Sequence, residues 1–219
     1  MYSKKKKLSN RAVKPKKKKD ERHLKDKILA ECLKIVAETG PKSINMREIA
    51  RRLNISPMAA YRHFASKEAL LSELGLLGFK MFNATLEKNL IIATNKKELM
   101  ERFHILKKNY MEFAIKNPEL YQIIFNSKLP NKEDFPELKE SGMKAFSQLL
   151  NQIASMKIAG LLKEKEVFAA ALFTHIIIHG YMSFQNTEMI SNLKQMFQFE
   201  QDIEPMLDEF IYRALKIEP

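Results

Sequence analysis

Between Ile44 and Phe64 the chain carries a helix start, a helix stop and a second helix start in close succession. Two short helices set at an angle around a tight turn satisfy all three. Asn45 can cap the free backbone N–H groups of a helix beginning at Met46. Met46, Ile49, Ala50 and Leu53 then fall at i, i+3, i+4 and i+7, one apolar face of an amphipathic helix. Asn54 tolerates the left-handed backbone conformation that ends a helix and turns the chain, and Ile55 can plug the corner. Ser56 is a good N-cap, and Pro57 suits the first helical position because its missing N–H has no partner to lose there. In the second helix Ala60 and Phe64 face inward, which leaves Met58, Ala59, Tyr61, Arg62 and His63 outward. This pattern is a helix-turn-helix over about residues 45–64, and an outward face with Arg, His and Tyr suits a DNA major groove.

Charge is distributed to match. The net charge is +12. Residues 1–19 hold ten Lys and Arg and no acid, residues 20–67 hold ten basic and six acidic groups, and residues 68–219 hold eighteen basic and twenty acidic groups. The positive charge therefore sits on and just before the helix-turn-helix, as expected of a nucleic-acid-binding end followed by a nearly neutral end. The run from Lys4 to Lys19 has few apolar residues to bury, so residues 1–22 read as a disordered basic tail. Such an arm can follow phosphates or enter a minor groove; the plainer reading is a solubilising leader. No apolar stretch follows the charges as a secretory signal would require.

The N-terminal part resembles the TetR-type transcriptional regulators. The residues that carry the resemblance are Ile28-Leu29 with Cys32, Gly40, Ile49-Ala50, Ala60-Tyr61-Arg62-His63-Phe64 and Lys67-Glu68-Ala69-Leu70, together spanning roughly 24–74. Asn45, Asn54 and Ala60 depart from the family's usual Thr, Gly and Leu. The resemblance implies an all-α chain: a three-helix DNA-binding domain over 23–67, joined by a long helix to a C-terminal ligand-binding and dimerisation domain over 68–219. It also implies a homodimer on a palindromic operator in double-stranded DNA, and a repressor released by a small apolar effector. With exposure on the expected helices it assigns phosphate contacts to Asn45, Arg47, Ser56, Tyr61 and Lys67. Met58, Ala59, Arg62 and His63 are assigned to base edges. Phe113 to Tyr121 with Phe125, and His179-Gly180, are similar to a subfamily named for a Trp-His-Gly motif, although this chain has no Trp and His175 stands at the Trp position.

Beyond Lys67 the periodicity is helical throughout. Helices are expected over about Lys67–Leu90, with Leu70, Leu74, Leu77, Met81 and Phe82 inward, and over Lys97–Lys116, where Asn117-Pro118 stops the helix. Others are expected over Pro118–Phe125, Pro136–Ile158 up to Gly160, Lys163–Phe184 and Glu200–Lys216. Phe168, Leu172 and Ile176 on one of the last two helices, and Met206, Phe210 and Ala214 on the other, offer apolar faces for dimerisation.

Phe103, Tyr110, Phe113, Tyr121, Phe125, Met143 and Phe146 form aromatic and Met-rich faces, chiefly core, some of which can line an effector cavity together with His175 and His179. The two histidines lie at i and i+4, but zinc needs further ligands and no Cys or acid stands at matching spacing, so a metal or cofactor is not expected. The single cysteine, Cys32, reads as a small core residue. No long apolar segment is apparent, and the chain is expected to be soluble and cytoplasmic with no membrane partner. The alternative function is a helical enzyme or metal-binding protein whose basic tail associates with nucleic acid nonspecifically. Against it, no phosphate-binding Gly-rich loop and no nucleophile with a paired base is evident.

Overall fold

The structure, a computed structural model, describes residues 16–130, 133–163 and 166–217, with side chains from residue 23 onward. Among the described residues the regular elements are ten α-helices and one 3-10 turn, with no strand. The helices are α1 (Lys16–Thr39), α2 (Met46–Arg52), α3 (Pro57–His63), α4 (Lys67–Leu86), α5 (Lys96–Lys116), α6 (Pro118–Asn126), α7 (Pro136–Ile158), α8 (Val167–Asn186), α9 (Met189–Met196) and α10 (Glu204–Leu215).

Residues 1–15 of the expected disordered tail lie outside the described residues. Residues 16–22, expected to belong to that tail, instead form the first turns of α1. Lys, Glu and Arg are good helix formers, and extending a helix already anchored by Ile28 avoids the cost of a new nucleus.

Two cores organise the helices. The first gathers Ile28, Cys32, Ile35 and Val36 of α1, Met46, Ile49 and Ala50 of α2, Ala60 of α3 and the neighbouring Phe64. It continues into α4 through Leu70, Leu71 and Leu74, and it includes Ile123 of α6. Each fully buried Ile, Leu or Phe here contributes about 1.5–3 kcal/mol relative to an exposed one. Burial pushes the Cys32 thiol up to about 12, so it is an inert core residue.

The second core is aromatic, built from α4, α5, α6, α7, α8 and α10 around Phe82, Phe103, Phe113, Tyr121, Ile153, Met182 and Ile211. Helix α4 reaches from the first core into the second and lies chiefly against α7 and α6. At Gly78 a Cβ would come within 2.6 Å of Ile124 Cγ2, so only glycine lets α4 and α6 approach so closely. Buried Asn83 on α4 donates to the Ser141 carbonyl at 2.9 Å and accepts from Gln148 at 3.1 Å, which fixes α7 in register.

Several expected boundaries shift for visible reasons. Helix α4 ends at Leu86 rather than Leu90, because Asn89 takes a left-handed conformation with φ 54°. Met81, expected inward, is exposed, since the neighbouring Phe82 takes the buried position. Helix α8 begins at Val167 rather than Lys163: Leu162 instead pairs with Ile217 in an isolated antiparallel bridge, and the Lys163 N–H donates to the Lys216 carbonyl. Helix α9 has no counterpart among the expected elements. Left-handed Glu188 and Gln198 bracket it and delay α10 to Glu204.

The expectation that no segment is long and apolar enough to cross a membrane does not hold. Helix α8 meets that test by length and composition, with a mean hydropathy of 1.5. Its place in the fold gives its apolarity another cause. Ala170, Ala171, Thr174, Ile178 and Met182 are buried in the second core, while Phe168, Leu172 and Ile176 form a second, exposed apolar face.

Candidate nucleic-acid interface and effector cavity

The helix-turn-helix is built as its residues dictate. The Asn45 side chain accepts from the Arg47 N–H at 2.9 Å and opens α2. Asn54 turns the chain at φ 52°, and the Ile55 N–H donates back to the Ala50 carbonyl. Ser56 Oγ accepts from the Ala59 N–H at 3.2 Å and opens α3, with Pro57 in its first turn. Ala60 and Phe64 are buried, while Met58, Tyr61 and Arg62 are exposed and Ala59 and His63 half-buried. Asn45, Arg47 and Ser56 are exposed beside them, and Lys67, half-buried, starts α4.

The four arginines of this region divide into two groups. Glu48 accepts from both Arg51 and Arg52, and these bonds hold its carboxyl down at about 2. Arg52 also reaches Glu38 at 2.8 Å and Glu31 at 3.7 Å, clamping α2 onto α1. Arg47 and Arg62 make no ion pair among the described residues, so their charge is available to an outside partner.

In the C-terminal region a cavity of about 230 Å³ opens between α4, α5, α6, α7 and α8. Of the nine residues expected there, Phe103, Tyr110, Phe125, Phe146 and His175 line it, with Phe79, Phe82, Leu106, Ile124 and Lys107 among the other walls. Phe113 and Tyr121 are fully buried in the core behind. Met143 does not line the cavity and is 61% exposed. The inward face of α7 runs through Gly142, Ala145, Phe146 and Leu149, and Met143 points about 100° away from Gly142 around the helix.

His179 stands behind the cavity wall in a polar relay through otherwise apolar surroundings. Tyr110 and Tyr121 share a hydrogen bond at 3.2 Å, Tyr121 Oη meets His179 Nδ1 at 2.6 Å, and Ser183 Oγ lies 3.4 Å from His179 Nε2. His175 stacks on His179 with ring planes 11° apart. Burial, and then the neighbouring His179, push the His175 imidazole down to about 4; burial lowers His179 too. Both are therefore neutral at neutral pH, and the cavity presents an uncharged imidazole beside Tyr110. Burial pushes the Tyr121 phenol up to about 12, partly offset by its hydrogen bonds to Tyr110 and Ser183. No group of three or more His, Cys, Asp or Glu is gathered in metal-binding geometry among the described residues.

One charged wall residue is missing from the sequence reading. Lys107, 7% exposed, binds Asp208 on α10 at 2.5 Å. The two residues are 101 positions apart, and on its own helix Lys107 resembles any surface lysine. Only its burying neighbours Phe103 and Leu106 hint at its position.

Comparison with known proteins agrees with this architecture. Residues 28–74 match the family of bacterial regulatory proteins described as tetR, and residues 103–211 match the tetracyclin repressor-like C-terminal domain. An uncharacterized HTH-type transcriptional regulator of Haemophilus influenzae is 27% identical over 117 residues, 53% of this chain and 58% of that protein. The nucleoid occlusion factor SlmA of Shewanella sediminis is 29% identical over 97 residues, 44% of this chain and 48% of that protein. The chain thus spans about half the length of these relatives. Among solved structures, the TetR-family regulator PfmR of Thermus thermophilus superposes with a TM-score of 0.62 at 20% identity, covering 88% of this chain and 98% of the other.

Proposed function

We propose that this chain, which belongs to the TetR family of bacterial transcriptional regulators, binds a palindromic duplex site as a homodimer and is released from it by a small apolar effector. The observation that carries the reading is the capped helix-turn-helix, whose second helix exposes Met58, Tyr61 and Arg62, while Arg47 and Arg62 make no ion pair among the described residues. Asn45, Arg47, Ser56, Tyr61 and Lys67 hold phosphates and fix the register; Met58, Ala59, Arg62 and His63 approach base edges. The ammonium groups of residues 1–19 add affinity without sequence preference, and the protein works in the cytoplasm, where its DNA is.

One α3 reads too few base pairs for useful specificity, and a two-fold dimer reads two half-sites. The face for that dimer is the apolar stripe of α8 and α10, where Phe168, Ile176 and Phe210 are 60%, 50% and 63% exposed. An exposed apolar surface of this kind is a normal mark of a protein interface. Effector release has a short physical route through α6. Its Ile124 and Phe125 line the cavity, whereas Ile123 is buried in the DNA-binding core. A ligand that favours one seating of α6 biases the position of the recognition helices. The grouping with the Trp-His-Gly subfamily rests on the Phe113–Tyr121 and His179-Gly180 fragments. The reading as a helical enzyme or metal protein gains no support from family membership.

Selection of bound duplex from a random pool tests the proposal. Enrichment of a palindrome with half-sites set by a two-fold dimer is expected; binding that never sharpens on selection contradicts it.

A further inference from the structure

The effector cavity is apolar apart from a few groups, and among the described residues the one side chain in its wall with a permanent charge is Lys107. Its side chain is 6% exposed, and its ammonium has one protein acceptor among the described residues, Asp208 Oδ1 at 2.5 Å. An ammonium has three N–H donors. Two therefore lack a protein partner among the described residues in a buried position, where unmet donors are costly. The acceptor side is also divided: Asp208 Oδ2 lies 3.4 Å from His104 Nδ1.

The same contacts link the cavity to α10. Phe103 and Lys107, one turn apart on α5, both line the cavity. They meet Tyr212 and Asp208, one turn apart on α10, through a ring contact at 6.4 Å and the ion pair. The far side of α10 carries exposed Phe210 of the apolar stripe.

We propose that the cavity takes a compact apolar molecule bearing one anionic group, which Lys107 binds in competition with Asp208. Asp208 is then the internal occupant of the anion site, and the ligand frees α10 from α5 as it enters. The ligand is compact because about 230 Å³ falls below the roughly 300–1,000 Å³ of sites for drug-sized molecules. It is a monoanion because one ammonium faces one charge, and the remaining polar wall groups, Tyr110 and His175, are neutral. The inference rests on the effector-cavity reading above and specifies the ligand class for that site.

Calorimetric titration of the full-length protein with phenylbutyrate and naphthoate, each beside its primary amide, tests the assignment without DNA. At least one carboxylate should bind about tenfold or more tightly than its amide, the usual worth of a charge-assisted hydrogen bond in a buried site. Asp208→Asn removes the internal competitor and should strengthen carboxylate binding while leaving the amide unchanged. A purely structural ion pair predicts no such gain. Should the unpaired ammonium unfold that variant, the double variant Lys107→Met with Asp208→Leu removes both charges at similar volume. It should bind carboxylate and amide alike. Amides binding as well as carboxylates to the unaltered protein, no heat from any of the four probes at millimolar concentration, or a carboxylate preference that survives the double variant would overturn the proposal. Failure of DNA selection with a retained carboxylate preference would instead remove the regulatory reading alone.

Discussion

Acid should weaken this fold before its carboxylates begin to protonate, and His175 should be the principal cause. An unfolded histidine takes up its proton near its ordinary value of 6.5, whereas in the fold burial and then His179 hold His175 down to about 4. Between those values the unfolded chain binds more protons than the folded one, so stability is complete above about pH 6.5 and falls as pH is lowered. At 1.36 kcal/mol per pH unit the full loss is about 3 kcal/mol, of which about 2 kcal/mol is spent by about pH 5. His179, lowered by burial, adds in the same direction. Urea titrations of the unaltered protein and of His175→Gln at a series of pH values between about 7.5 and 5 measure the effect. The unaltered protein should lose midpoint steadily over that range and the variant should lose much less. Equal slopes for the two proteins would refute the reasoning, because burial of His175 at the cavity wall would not then govern its protonation.

Ser56→Ala removes the cap whose Oγ accepts from Ala59 at 3.2 Å, and should cost about 1 kcal/mol of stability by thermal unfolding. Its DNA affinity should fall by more than this, since the start of α3 frays and the hydroxyl proposed above to hold a phosphate is removed with it. Gly78→Ala places a Cβ 2.6 Å from Ile124 Cγ2 and should destabilise by about 1–3 kcal/mol through overpacking; an unchanged melting temperature would show that α4 and α6 yield without cost. Deleting residues 2–19 should lower affinity for all duplexes alike and flatten the plot of log affinity against log salt by about 0.9 for each phosphate that the tail neutralises, with discrimination between sequences retained.

The parts of the fold legible in the sequence are those fixed by local chemistry. Asn45, Asn54 and Ser56-Pro57 set their helix ends through hydrogen bonds and backbone conformations within a few residues. The same is true of α7, opened by Pro136 and closed ahead of Gly160 at φ 70°. The features that are not legible depend on residues distant in sequence. The late start of α8 follows from Leu162 pairing with Ile217, and Lys107 is buried by an acid on α10. Helical phase is the other source of error. Met143 and Met81 have the composition of core residues, yet each sits one position from the residue that takes the inward place, Gly142 in the cavity wall and Phe82 in the core. Periodicity locates a face to within about one residue, or 100°, and the neighbouring helix decides which side chain it accepts. The cavity is therefore legible as an aromatic region, with Tyr110, Phe125 and His175 in its wall, but not as one with a charge there.

Paired binding curves for Arg62→Ala test most directly whether α3 reads base sequence through Arg62, as proposed above. The curves are measured on the selected duplex and on random duplex, at two salt concentrations. Arg62 is exposed on α3 and makes no ion pair among the described residues. Its removal should cost about 1–3 kcal/mol on the selected site and much less on random DNA. If Arg62→Ala kept full discrimination while deletion of residues 2–19 abolished it, α3 would not be the reader, and the functional account built on Ser56 to Phe64 would fall.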